Sequence, residues 1–333
     1  MTKATLLALI LATAAAPRAL AADAIDTAAA EARALLGQDK PQAAIERLSG
    51  LDPTDPRVGL VLGVAQYHAG AATAAIETLT PLLARLPEAS LERREAVQVL
   101  GLSHYLAGHL AEAVPLLEQT RLWATGNLEL NQILGTLYIE TQKPERAREC
   151  FARAFGVAPE SAAAHLLAAQ MMIRVEQEPM AEAELKLALQ KDPRLPQVRF
   201  LLGQQALFRG RLDEAVALSQ QELELNPGNG TAWSQLGDAY SRQLKWDEAT
   251  AALQKSIWIN PYYSAPYILL GRAYMKRGQP GTAEGMLRRA IEYDPNNKSA
   301  HYLLGQLLQQ TGREDEARRE IEIAERLQGQ PGR

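Results

Sequence analysis

The chain has 333 residues, of which 47% are hydrophobic and only 5% aromatic, and its formal net charge is −4. Ala, Leu, Glu, Gln and Arg dominate the composition, and because these residues favour helices we expect an all-α protein. A mildly acidic chain lacks the basic surface that displaces counterions from nucleic acid, so we expect no nucleic-acid partner. The single cysteine, Cys150, excludes an intramolecular disulfide and a cysteine-based zinc site.

The first 21 residues have the pattern of an export signal. Lys3 supplies a positive start, residues 4–16 form an apolar run, and Ala19-Leu20-Ala21 fits a small-x-small cleavage site. This run is too short to cross a bilayer, which needs about 20 residues. We therefore expect cleavage after Ala21, no transmembrane segment in the mature chain, and a periplasmic or secreted protein. An uncleaved anchor or a plain N-terminal helix is the alternative.

A period of 34 residues runs through most of the chain. Small residues keep this period at Gly101, Gly135, Ala169, Gly203, Gly237, Gly271 and Gly305. Alanines keep it from Ala113 to Ala317, and prolines from Pro159 to Pro295. Each unit contains two apolar-periodic stretches of about 14 residues, which predicts two antiparallel helices joined by a short turn.

Glycine and proline mark where these helices begin and end. The glycines suited to a left-handed turn after a first helix are Gly108, Gly210, Gly278 and Gly312. Pro144 and Pro280 stand where a second helix should begin, and a missing N–H costs nothing there. Pro81 falls well inside a second helix, where we expect a kink or break, whereas Pro115 lies close enough to a helix start to be accommodated.

One unit shows the repeat most clearly. It reads Trp233-x2-Leu236-Gly237-x2-Tyr240, followed by Ala249 and Pro261. This motif resembles the tetratricopeptide-repeat (TPR) signature almost position for position, as do the motifs within residues 131–159 and 267–295. The resemblance implies a TPR solenoid of the exported bacterial type, a right-handed superhelix of antiparallel helix pairs with about nine repeats. We expect two irregular repeats in residues 22–93 and seven regular ones in 94–331.

The resemblance also implies that the first helix of each unit lines a concave groove. Positions 5, 9 and 13 of each repeat would point inward and present amides and hydroxyls among apolar and aromatic side chains such as Ile268. Such a surface suits an extended peptide or a helix. The residues that we expect to bind a partner are Gln132, Thr136, Gln170, Phe200, Gln204, Ser234, Asp238, Arg242, Arg272, Lys276, Tyr302 and Gln306.

Four of these residues suggest an anion site. Arg242, Arg272 and Lys276 would form a basic pocket beside Asp238 that captures a carboxylate. Ordinary surface charges paired with nearby acids are the alternative. The Lys/Asn pattern with which some family members clamp chaperone tails is absent from this sequence, so binding of such tails is not implied.

No catalytic motif is found in the sequence. The five histidines are scattered over four units, no HExxH, GxSxG or Gly-rich phosphate loop occurs, and acidic pairs fall at helix starts. We expect no enzyme activity, no cofactor and no metal. The predicted function is a protein-interaction scaffold or adaptor in an envelope assembly, secretion or maturation complex. A solenoid of an exopolysaccharide biosynthesis or export system, with polysaccharide as ligand, is the alternative, and an enzyme or metal-binding protein of unusual type is the third class.

Overall fold

The structure, a computed structural model, describes residues 24–328. The described residues divide into two compact units, with the boundary between residues 159 and 160. No β-strand occurs between residues 24 and 328, and the predicted all-α class is confirmed. The predicted export signal and its cleavage after Ala21 lie outside the described residues. Along the described helices, none is both long and apolar enough to traverse a bilayer.

Helices in both units come in consecutive pairs joined by short turns. The pairs of the first unit are α1 (24–36) and α2 (Pro41–Leu48), α3 (Pro56–His68) and α4 (Ala72–Leu83), α5 (Leu91–Leu106) and α6 (Leu110–Arg121), and α7 (Leu128–Glu140) and α8 (Pro144–Phe155). Those of the second unit are α9 (Ala162–Arg174) and α10 (Glu178–Lys191), α11 (Val198–Phe208) and α12 (Leu212–Leu225), α13 (Gly230–Arg242) and α14 (Trp246–Ile259), α15 (Ser264–Lys276) and α16 (Pro280–Tyr293), and α17 (Lys298–Gln310) and α18 (Glu314–Gln328). Residues 24–328 thus contain nine helix pairs, in agreement with the expected number of repeats.

First and second helices begin in different ways. Six first helices are preceded by a capping residue whose side chain accepts a hydrogen bond from a backbone N–H of the first turn. These capping residues are Asp55, Ser90, Asn127, Ser161, Asn229 and Asn297. Such a cap stabilises a helix by about 1 kcal/mol. Three second helices instead begin with proline, at Pro41, Pro144 and Pro280. The predicted helix starts at Pro144 and Pro280 are confirmed.

Two second helices contain an internal proline. Helix α6 continues through Pro115 for six more residues, as expected. Helix α4 also continues through Pro81 and ends at Leu83, so the predicted break at Pro81 is wrong. The reason is that Pro81 lies in the last turn of α4, where its missing N–H removes a single hydrogen bond from a helix that is already ending.

The recurring small residues allow the two helices of a pair to approach closely. A Cβ atom added at Gly237 would lie 2.5 Å from Cγ of Leu253, and one added at Gly135 would lie 2.4 Å from Cε1 of Phe151. Leu253 and Phe151 are fully buried. In six of the nine pairs the second helix places a large apolar side chain over a glycine of its first helix, and the core of those pairs depends on that absence of bulk.

The turn after the first helix requires a left-handed residue at one position of each regular unit. The four predicted glycines have positive φ, from 71° at Gly210 and Gly278 to 78° at Gly312. Three units place a residue other than glycine there, and these are Gln142, Glu176 and Leu244. Leu244 has a φ of 61° and a relative exposure of 68%, so it bears the steric cost of this conformation without burying its side chain.

Replacing Leu244 with glycine is expected to stabilise the protein by about 0.5–1 kcal/mol, because the relief of left-handed strain exceeds the extra chain entropy of glycine. The measurement is urea unfolding followed by circular dichroism. Leu244→Ala keeps the left-handed strain and removes the same exposed side chain, so it should not stabilise. Equal stabilisation by alanine and glycine would contradict the role assigned to φ.

Candidate functional site

Two first helices of the second unit bring predicted groove residues together around one carboxylate. Oδ1 of Asp238 on α13 accepts a hydrogen bond from Nη2 of Arg272 on α15 at 2.9 Å, and Nη2 of Arg242 lies 2.8 Å from Oδ2 of Asp238 in an ion pair. Nη1 of Arg242 also donates to the backbone oxygen of Leu207 at 3.0 Å. Two guanidinium groups around one carboxylate leave this cluster with one net positive charge.

Arg272 is the member of this cluster best placed to meet a ligand. Its side chain is 42% exposed, and Asp238 accepts from only one of its five N–H groups. Its remaining N–H groups make no hydrogen bond to any described residue. Because Asp238 fixes the guanidinium position, those donors are held in place before a partner arrives.

A cavity of about 790 Å³ opens beside this cluster. Its charged lining includes Asp238, Arg242, Arg272, Lys298 and Glu325, and its apolar lining includes Ile268, Leu269, Leu303 and Ile321. The helices α13, α15, α17 and α18 supply these residues, and we call the cavity the inner groove. Its volume lies within the range of about 300–1,000 Å³ that is usual for ligand pockets.

Tyr302 lines the inner groove and is 49% exposed. Its hydroxyl accepts a hydrogen bond from Nε2 of Gln306 at 3.1 Å, so these two predicted residues are neighbours on α17. An exposed tyrosine beside apolar side chains offers a large contact area together with a polar group. Such side chains are common in the centres of protein interfaces.

Other predicted residues lie elsewhere. Lys276 is exposed near the end of α15 and does not line the inner groove. Gln204 is exposed on α11, and Gln170 donates to Oε1 of Gln197 at 3.3 Å. The two predicted residues of the first unit are Gln132 and Thr136, and Thr136 donates its hydroxyl to the backbone oxygen of Gln132 at 3.1 Å. The predicted row is thus not a single site in the structure.

Phe200 lines a second hollow of about 630 Å³, together with Gln197 and Tyr263. Ser234 is only 5% exposed, although the resemblance implied that it points into the groove. Burial raises the pKa of Tyr263, and a hydrogen bond with Ser234 acts in the opposite direction. The Ser234 hydroxyl is therefore engaged within the protein, by its hydrogen bond with Tyr263.

Several lining residues of the inner groove were not predicted. The repeat positions pointed only to first helices, whereas α18, a second helix, contributes Ile321 and Glu325. A signal was present in the sequence, since Glu325 stands where the two preceding units have Ile257 and Ile291. A carboxylate at a position that is otherwise apolar is a sign of an exposed or functional surface.

Two of the histidines, His165 and His301, each pair with a carboxylate. Nδ1 of His165 lies 2.6 Å from Oε2 of Glu184, and Nδ1 of His301 lies 2.6 Å from Oε2 of Glu320. Burial, followed by the nearby charge of His109, lowers the pKa of His104. Within residues 24–328, no three side chains of His, Cys, Asp or Glu gather in a way that could hold a metal ion.

Cys150 is fully buried on α8. Burial raises the pKa of its thiol to about 11, and the nearby Arg121 guanidinium offsets only part of this effect. The thiolate is the nucleophilic form of cysteine, and at neutral pH it is scarcely populated here. Cys150 therefore acts as a small apolar residue of the core.

The fold and the inner groove together define a class of protein. Stacked helix pairs that bury their apolar faces against their neighbours form a solenoid, and solenoids bind other macromolecules through extended surfaces. Such folds serve in general as non-catalytic interaction scaffolds. The chain is a helical-repeat protein of this class.

Comparison with known families identifies the repeat. Models described as tetratricopeptide repeat match residues 104–171, 200–264 and 268–331, which together make up more than half of the chain. The chain belongs to the tetratricopeptide-repeat family. A curated relative, the chloroplastic TPR domain-containing protein PYG7 of Arabidopsis thaliana, is 36% identical over 77 residues, which are 22% of this chain and 26% of the relative. The chain thus matches about a quarter of that relative's length.

Solved structures of similar fold include MamA from Desulfovibrio magneticus, with 20% identity, 50% of this chain and 94% of that chain covered, and a TM-score of 0.45. The Cut9 and Hcn1 hetero-tetramer of the APC/C is 17% identical, with 80% of this chain and 52% of that chain covered and a TM-score of 0.46. YrrB, described as a TPR protein with an unusual peptide-binding site, is 20% identical, with 54% of this chain and 93% of that chain covered and a TM-score of 0.43.

Proposed function

We propose that this TPR protein is a scaffold that binds a segment of a partner protein in the inner groove of its second unit. The observation that carries the proposal is the convergence of Asp238, Arg272 and Tyr302, from three first helices, on one cavity of about 790 Å³ with apolar walls. A peptide offers both components that this surface can bind. Its apolar side chains would contact Ile268 and Leu303, and its polar groups would meet the charged rim.

The charged rim favours an acidic group in that segment. Arg242, Arg272 and Lys298 outnumber Asp238 and Glu325 around the inner groove, so its lining is net positive. Arginine binds carboxylates through paired N–H groups, and Asp238 already holds Arg272 in position. A carboxylate of the partner would therefore gain a charge-assisted hydrogen bond at little cost in ordering Arg272.

We further propose that the protein acts outside the cytoplasm, in an envelope assembly, secretion or maturation complex. This rests on the export-signal pattern of residues 1–21 and not on the described structure. Mass spectrometry of the protein recovered from a periplasmic extract tests this proposal. A mature chain that begins at Ala22 is expected, and a chain that retains residues 1–21 would overturn it.

The test of the groove is site-specific photo-crosslinking in cells, with the crosslinking amino acid at Tyr302. We expect a partner segment to be captured there and not from Trp258, a position that is 84% exposed and does not line the inner groove. The captured segment, identified by mass spectrometry and synthesised, is then titrated against the purified protein. Arg272→Ala should weaken its binding about tenfold, because one charge-assisted hydrogen bond is lost.

Arg277→Ala is the matched control. Arg277 follows α15, its Nη1 lies 3.0 Å from Oδ1 of Asp247, and it does not line the inner groove. Its removal should leave the affinity unchanged. Equal loss of binding in the two variants, or crosslinks from Trp258 alone, would show that partners do not use the inner groove.

A further inference from the structure

Two positions recur every 34 residues, one on each second helix and one on the first helix of the next pair. The first position, on the second helices, is occupied by Leu117, Phe151, Leu185, Ser219, Leu253, Leu287 and Ile321. The second position, on the first helices, is occupied by Val99, Ile133, Leu167, Leu201, Gln235, Leu269 and Leu303. Both positions change from apolar to polar at the same place, where α12 meets α13. We call this place the polar junction.

Gln235 fills the space that a leucine takes elsewhere. At the neighbouring pair, Leu253 packs against Gly237, whereas at the polar junction the amide of Gln235 lies against Gly203, with Nε2 3.0 Å from where a Cβ of residue 203 would be. Gln235 is 7% exposed and Ser219 is fully buried. The short serine leaves room that the next first helix fills with an amide.

The buried polar atoms at the polar junction are incompletely hydrogen-bonded. Nε2 of Gln235 donates to the backbone oxygen of Phe200 at 3.1 Å, but Oε1 has no partner among the described residues. The Ser219 hydroxyl has none either. On the adjoining α11, both amide atoms of Gln205 lack a partner although the residue is only 6% exposed. The same holds for the hydroxyl of Ser241 on α13, which is 4% exposed.

These groups weaken the closed packing relative to an opened one. A buried amide or hydroxyl without a partner has lost its bonds to water, and opening of the helix interface restores them. An apolar pair such as Leu287 and Leu303, which lie in one hydrophobic cluster, has the opposite preference, since opening exposes it to water. We propose that the polar junction is a hinge, an interface that opens more readily than the apolar one between α16 and α17.

A hinge at this place would act on the inner surface of the second unit. Helix α11, on one side, carries Phe200 of the second hollow, and α13, on the other, carries Asp238 of the inner groove. Nη1 of Arg242 crosses the hinge to the backbone oxygen of Leu207. Opening therefore changes the spacing of Phe200 and Asp238 and lets the surface adapt to ligands of different length. The hinge itself does not depend on the proposed function.

The test is hydrogen exchange followed by mass spectrometry on the full chain without ligand. In the native protein, amides of α12 and α13 should exchange faster than those of α16 and α17. The double variant Ser219→Leu/Gln235→Leu restores the apolar pair, and we expect it to slow exchange in α12 and α13 about tenfold. Exchange in α9 and α18, away from the junction, should not change.

The matched control transfers the polar pair by one repeat. Leu253→Ser/Leu269→Gln should accelerate exchange at α14 and α15, even if the first double variant fails to fold. Two results would overturn the hinge. The first is unchanged exchange at α14 and α15 in this control, and the second is unchanged exchange at α12 and α13 in a folded Ser219→Leu/Gln235→Leu variant. Because no ligand is present, failure of the inner groove to bind a peptide would not alter this result.

Discussion

Replacing Phe151 with alanine is expected to destabilise the first unit by about 3–5 kcal/mol, the usual cost of removing a fully buried phenylalanine. The ring of Phe151 has no exposed surface and lies over Gly135, with Cε1 only 2.4 Å from where a Cβ would be. Since glycine has no side chain to fill the vacated space, the loss of the ring leaves a cavity. Urea unfolding measured by circular dichroism gives the change in the free energy of unfolding.

Phe155→Ala is the control for this prediction. Phe155 is one turn further along the same helix, α8, and is 48% exposed, so its removal should cost far less than that of Phe151. A similar loss for both variants would mean that α8 is destabilised by the substitution itself. In that case the packing between Phe151 and Gly135 would not be what holds the pair together.

Glu184→Ala is expected to destabilise the second unit by about 2–4 kcal/mol. Glu184 and His165 have side-chain exposures of 4% and 2%, and Nδ1 of His165 lies 2.6 Å from Oε2 of Glu184. Nε2, the other ring nitrogen of His165, has no partner among the residues that the structure describes. Removing the carboxylate therefore leaves a buried imidazole without its hydrogen bond. The shift of the urea midpoint measures the effect.

A second substitution should recover most of that loss. Two repeats further along, Trp233 and Ala252 occupy the positions of His165 and Glu184. Nε1 of Trp233 donates to the backbone oxygen of Pro227 at 2.9 Å. His165→Trp/Glu184→Ala reproduces this pair and should be more stable than Glu184→Ala alone. Additive losses would show that the two side chains contribute independently, against the pairing that the structure shows.

Most of the architecture could be predicted because the repeat imposes the same physical requirement many times. The requirement is a residue without bulk under a large side chain, as where Leu253 lies against Gly237. The period of 34 repeats this pattern along the chain, so one recognised unit predicts the others. The turn glycines could be predicted for the same reason, since the turn after each regular first helix needs a residue in the left-handed conformation. The left-handed conformation of Leu244 was not predicted, because a leucine has no preference for it.

The inner groove was predicted less well. The repeat positions named Asp238, Arg242, Arg272 and Tyr302, and the structure brings them to one cavity. They also named Lys276, which does not line that cavity, and Ser234, whose side chain is buried. The position of a residue in the repeat indicates only on which face of its helix the side chain lies. Its neighbours then decide whether it meets solvent, another side chain or a ligand.

By itself the sequence determined that the chain is all-α, that its helices come in pairs and that glycine lies beneath a large side chain in most of them, because these features follow from local periodicity and side-chain size. Only the tertiary structure decided that Arg272 of α15 reaches Asp238 of α13, that α18 contributes to the inner groove, and that Gln235 lies against Gly203 of α11. These pairings depend on distances between residues far apart in the chain, which local preference does not specify.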